Sequence, residues 1–132
     1  MLTLKTKNRE LVELFNGLQA VANLKGVRFG LLVSKNVRIL QQELDDLDKA
    51  SKPTEDFMQL AQQVNALGSD SEAIEKLESE NKELVEARKT QLEEVDKLLE
   101  DSAEISLHTI SEDILPEDIT ALQITNIDKL IK

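Results

Sequence analysis

The sequence predicts a mainly α fold with a minor two-stranded β pairing, on three observations. Apolar residues recur at three- and four-residue spacing through the middle of the chain, as they do on helices that bury one face. Apolar and polar residues alternate with a period of two at only two places, about residues 2–6 and 104–109, and each is the other's obvious strand partner. Only three residues are aromatic, Phe15, Phe29 and Phe57, so the core must be built from Leu, Ile, Val and Ala, which suits interdigitating helices.

Taken in order, Leu2 and Leu4 point one way and Thr3 and Lys5 the other, which reads as a short strand. Asn8 is placed to cap a first helix over residues 9–24, with Glu10 in the first turn where the helix dipole favours an anion. Leu11, Leu14, Phe15, Leu18 and Ala22 form its stripe. Asn16-Gly17 is a turn signal in isolation, but the helical period continues across it, so Gly17 is expected to let another segment approach closely. Lys25-Gly26 is expected to stop the helix.

A second helix is expected over residues 27–50. Val33, Val37, Leu40, Leu44 and Leu47 hold a 4-3-4-3 spacing, with Arg28, Lys35 and Arg38 on the opposite face and Asp45, Asp46 and Asp48 farther along. Pro53 ends it. A shorter helix, about 54–67, places Phe57, Leu60, Ala61, Val64 and Leu67 on one face, and Gly68-Ser69-Asp70-Ser71 supplies a turn and cap. A fourth helix is expected over 71–100, with Ile74, Leu77, Leu84, Leu92, Val95 and Leu99 on its stripe and Asn81 and Arg88 interrupting it; a polar residue there can set coiled-coil register. The two long helices make a long antiparallel hairpin at about 27–100.

Ile105 and Leu107 then alternate with Ser106 and His108 as the second strand. The apolar tail, with Ile110, Ile114, Leu115, Ile119, Leu122, Ile124, Ile127, Leu130 and Ile131, is expected to form short helices after an N1 proline, Pro116. The length suits a single helical domain over residues 1–132.

Charge is polarised. The net charge of −10 divides into +5 over residues 1–40, −12 over 41–104 and −3 over 105–132. Such a balance argues against nucleic acid as the main partner. The basic face (Lys25, Arg28, Lys35, Arg38) lacks the interleaved aromatics of a nucleic-acid surface, and is expected to meet either another chain or the protein's own acidic helix. The N-terminus lacks a signal-peptide pattern, and no stretch approaches the ~18 apolar residues of a membrane span, so a soluble chain with no membrane partner is expected.

No catalytic constellation is legible, and the sequence predicts a protein that is not an enzyme. His108 is the only histidine and there is no cysteine, so neither a metal-ligand set nor a Cys-based redox site can be assembled. Asp45, Asp46 and Asp48 lack the calcium-loop pattern, and Glu112-Asp113 and Glu117-Asp118 read as first-turn complements to helix dipoles. The serines lack a G-x-S-x-G setting, and glycines at 17, 26, 30 and 68 form no phosphate loop. No cofactor and no small-molecule substrate are expected.

Three segments together resemble a family of small proteins of tailed bacteriophages and prophages, a domain of unknown function. Residues 10–18, ELVELFNGL, are similar to the family's "LVELxNGL" helix. Residues 27–50, VRFGLLVSKNVRILQQELDDLDKA, are similar to its aromatic, small apolar run, "K-N" and long charged helix, here with Phe29, Lys35 and Asn36. Residues 104–132, from EISLHTI through ILPEDI to the C-terminus, are similar to its strand, polar turn, "D-L-P" and short-helix ending. The central insert, 52–71, departs from the pattern. The resemblance implies a phage setting and a topology, with no activity to carry over. With no catalytic site legible, a phage structural or assembly protein acting through protein–protein contacts is expected, in a virion or the host cytoplasm, with other phage proteins or a second copy of itself as partners. An acidic phage protein that inhibits a host factor as a nucleic-acid mimic is the alternative. Candidate protein-contact residues are Asn16, Gly17, Arg28, Lys35 and Arg38.

Overall fold

The computed structural model describes residues 1–132, and helices take up 70% of them, so the fold is mainly α. The elements run β1 (Leu2–Lys7), α1 (Asn8–Val21), α2 (Val27–Ser51), α3 (Glu55–Ala66), α4 (Ser71–Glu80), α5 (Lys82–Glu100), β2 (Ser102–Leu107) and α6 (Ala121–Ile127), with 3₁₀ turns at Glu112–Ile114 and Asp128–Leu130. The chain divides into two compact units: Met1–Asp46 with Leu98–Lys132, and Leu47–Lys97. The distribution of buried side chains gives the physical reason, since Leu60 is the only core residue between positions 47 and 97.

In the first unit, β1 and β2 pair antiparallel, with Leu2 opposite Leu107, Leu4 opposite Ile105 and Lys5 opposite Glu104. The alternation does what it promised. Ile105 and Leu107 are buried, while Thr3 and Ser106 share a 3.1 Å hydroxyl hydrogen bond on the exposed face. The second strand lies two residues earlier than expected, leaving His108 and Thr109 beyond its end. Two strands are marginal alone; here their inner face joins a core of Leu11, Leu14, Leu18, Val21, Phe29, Val33, Leu40, Leu44, Ile110, Ile127 and Leu130. The C-terminus is tied in by Ile110 N–H to Leu130 O (2.7 Å) and Lys132 N–H to Ile110 O (2.9 Å).

Several local expectations are corrected. Asn8 does not cap α1, because β1 keeps pairing through Lys7, which becomes the N-cap without a side-chain bond. The Asn8 amide instead donates to Leu98 O at 2.9 Å, and its backbone N–H donates to Asp101 O at 2.9 Å. Gly26, at φ +128°, does not end α1, which closes at Val21; its carbonyl accepts from Gly30 N–H and so opens α2. Pro116 is not an N1 proline. It turns the chain, its carbonyl accepting from Ile119 N–H, so Glu117 and Asp118 precede α6 and do not occupy its first turn. The start of α6 is a capping box, with Thr120 accepting from Gln123 N–H and Gln123 accepting from Thr120 N–H.

The stripe of α2 also shifts. The buried side is Phe29, Val33, Asn36, Leu40 and Leu44, with Val37 only half-buried. Asn36 is fully buried. Its amide donates to His108 O at 2.9 Å, and its carbonyl oxygen accepts from His108 N–H at 2.7 Å. One side chain thus satisfies both backbone groups of the residue just beyond β2, which lacks a strand partner there.

In the second unit, Thr54 caps α3 by accepting from Phe57 N–H, and Asp70 caps α4 by accepting from Ala73 N–H. The fourth helix expected over 71–100 is broken at Asn81, whose backbone (φ −118°, ψ 34°) is not helical. Asn81 N–H bonds back to Leu77 and Glu78 carbonyls, its side chain also donates to Leu77 O, and its own carbonyl accepts from Leu84 and Val85 N–H. It therefore closes α4 and opens α5, where a register-setting polar residue was expected. Arg88 interrupts the apolar stripe for another reason. Its guanidinium sits 5.8 Å from the Phe57 ring centroid and donates to Ser51 O at 2.7 Å and to Gln91 Oε1 at 3.0 Å. Gln91 donates to Ala50 O and Lys52 O, so two α5 side chains satisfy the open carbonyls at the end of α2.

Candidate protein-contact surface

Between Glu13 and Glu43 the sequence holds no carboxylate, although the chain has 26 acidic residues. The only charges in that stretch are Lys25, Arg28, Lys35 and Arg38, and all four side chains are exposed. At ~100° per residue, Val27, Leu31, Ser34, Lys35 and Arg38 fall on one face of α2. Val27 is 90% exposed and Leu31 51% exposed, so this face is apolar as well as cationic.

Beside it, α1 and α2 enclose an open groove of about 450 Å³ lined by Gln19, Ala22, Val33, Ser34, Val37 and Arg38. Ala22, Val33 and Val37 make its apolar side; Gln19, Ser34 and Arg38 make its polar side. Ser34 and Arg38 belong to both the groove and the exposed face, so the two form one continuous surface.

The predicted contact residues separate on this geometry. Arg28, Lys35 and Arg38 are outward-facing, and none forms a salt bridge within the unit. The Asp113 carboxyl is held below the usual aspartate range, first by a hydrogen bond from the Ser111 hydroxyl, with its own backbone N–H and then the charge of Arg28 adding less. Asn16 is exposed. Gly17 is buried, and a Cβ built on it would stand 3.1 Å from both the Cβ and the carbonyl oxygen of Asn126 and 3.3 Å from Ile127 Cγ2. The expected close approach is therefore present, and the approaching segment is the chain's own α6.

Other charges with partners were not singled out by sequence. Lys7 and Arg9 both bridge Glu100, at 2.8 and 2.9 Å, and Lys129 bridges Glu10 at 3.3 Å. The Glu100 carboxyl is held below its ordinary range, first by the Lys7 hydrogen bond and then by Arg9, and the Lys7 amine is correspondingly raised. Nothing local marks these pairs, because their members are some ninety residues apart or more. His108 is half-exposed and is used through its backbone, by Asn36. No helix is long and apolar enough to cross a membrane. Compared with protein-family models, curated proteins and solved structures, the chain matches none.

Proposed function

We propose that this chain is a bacteriophage structural or virion-assembly protein that acts through protein–protein contacts and performs no catalysis. The observation that carries the contact role is the surface of α1 and α2, where exposed Val27, Leu31 and Lys35 share the face of α2 that adjoins a half-apolar groove lined by Arg38. Exposed apolar side chains ringed by one sign of charge are what a recognition surface offers, the apolar part for affinity and the charge for orientation. The phage setting rests on the resemblance of residues 10–18, 27–50 and 104–132, and a virion or the host cytoplasm is the location that goes with it. Mass spectrometry of purified particles and of assembly intermediates tests the reading. The protein should be present in one of them at a fixed ratio to other phage proteins; absence from both overturns it.

A second reading is favoured by one observation. Glu72, Glu75, Glu78, Glu80, Glu83 and Glu86 are all exposed on α4 and α5, a carboxylate array of the kind a nucleic-acid mimic presents to a host factor. Recovery of a single host nucleic-acid-binding protein with the tagged chain, displaced by duplex DNA, would select it over the assembly role.

A further inference from the structure

We propose that the α1–α2 groove and the adjoining face of α2 receive the acidic helices of a second copy of this chain, joined head to tail. The inference rests on the reading of a contact protein and names the partner. A helix seated in this groove must be amphipathic, with apolar side chains for Ala22, Val37 and Leu31 and carboxylates for Lys35 and Arg38.

Residues 47–97 meet that description. They hold one core residue, Leu60, and leave Met58 and Leu92 exposed. On α4, Ile74 and Leu77 are only half-buried, and Glu75 and Glu78 beside them are exposed. The two surfaces are opposite in sign and both are short of apolar cover. A two-fold dimer through α2 would set Lys35 and Arg38 against their own copies, and like charges so placed are repulsive. The groove of one copy therefore meets the acidic helices of another and not its own counterpart; made once between each pair of copies, as proposed, such a contact is heterologous and builds rings or filaments.

The test is solution mass by sedimentation of the full chain across concentration and salt, with two variant pairs. Leu31→Gln with Arg38→Gln removes the receiving face, and Glu75→Gln with Glu78→Gln removes the inserting one; all four positions are exposed, and circular dichroism checks that each variant folds. The wild type should grow in mass with concentration and return to monomer in high salt, as charge screening requires. Each variant pair should weaken assembly by about tenfold or more, the loss expected when a leucine leaves an apolar contact or charge pairs are removed. An equimolar mixture of the two should give a dimer and nothing larger, since one intact surface of each kind remains.

A wild type that stays monomeric at every concentration overturns the inference. So does assembly indifferent to salt or to Leu31→Gln with Arg38→Gln, and so does a mixture that fails to pair. A monomeric protein still found in particles would leave the contact role standing. A self-assembling protein absent from particles and intermediates would overturn the phage role alone.

Discussion

Replacing Asn36 by alanine removes a side chain that holds the end of β2 to α2. Two hydrogen bonds are lost, the 2.9 Å bond to His108 O and the 2.7 Å bond from His108 N–H. Leaving a buried backbone group unpaired costs about 1–3 kcal/mol. His108 is half-exposed, so water recovers part of that, and the two groups together should cost about 2–4 kcal/mol with the small void included. In a domain of 60–100 residues each kcal/mol moves the melting point by roughly 4–8 °C, so a depression of roughly 8–32 °C is expected. Calorimetry measures it, and amide exchange at His108 reports the lost bond directly. Asn36→Leu separates the two contributions, because it restores apolar volume without the bonds; it should remain close to the alanine variant. Asn36→Asp can accept from His108 N–H but cannot donate while ionised. Its buried carboxyl should be raised above its ordinary value, so the folded state takes up the proton and this variant should gain on the wild type as pH falls. An alanine variant within about 0.5 kcal/mol of wild type, with unchanged His108 exchange, would refute the argument.

Gly17→Leu should destabilise the first unit by about 1–3 kcal/mol through overlap with Asn126 and Ile127, outweighing the ~1 kcal/mol of helix propensity gained; wild-type melting would contradict it. Glu100→Gln should lower stability at neutral pH and match the wild type at strongly acidic pH, because a depressed carboxyl contributes above its unfolded value and loses that contribution as pH falls through the folded one; melting curves across that range decide it. Arg88→Ala uncovers Phe57 and leaves Ser51 O without its 2.7 Å donor, so amide exchange in the last turn of α2 and along α3 should quicken while exchange in α1 stays unchanged.

Much of the backbone was legible because its signals are local. The period of two at residues 2–6 survives as alternating exposure along β1, and the caps of α3 and α4 follow from Thr54 and Asp70 just before apolar periodicity begins. The capping box Thr120–Gln123 was equally local, but Pro116 offered a competing start and obscured it. The stripe of α2 went astray for a different reason. The spacing 29-33-36-40-44 is as helical as 33-37-40-44-47, and an asparagine reads as outward-facing until a partner is known. That partner, the His108 backbone, lies 72 residues away. Asn81 and Arg88 were visible as interruptions of a stripe, yet their roles depend on carbonyls at Leu77 and Ser51 that no periodicity marks.

The motif residues that carry the phage resemblance also bear on where function can reside. Gly17, in the first segment, is closed against Asn126 and Ile127 in the third, and Asn36, in the second, is bonded to His108 in the third. Residues 10–18, 27–46 and 104–132 of the three segments thus lie in the first unit, while the end of the second segment, 47–50, and the divergent insert at 52–71 fall in the second. Gly17 and Asn36 are committed inward, so neither is free to meet a partner. The outward side of α2 differs: Val27, Leu31, Lys35 and Arg38 are all exposed. Val27 and Leu31 leave aliphatic surface in water, which lowers solubility, whereas Lys35 and Arg38 raise it; a partner that covers the first and pairs with the second is the use proposed for this face.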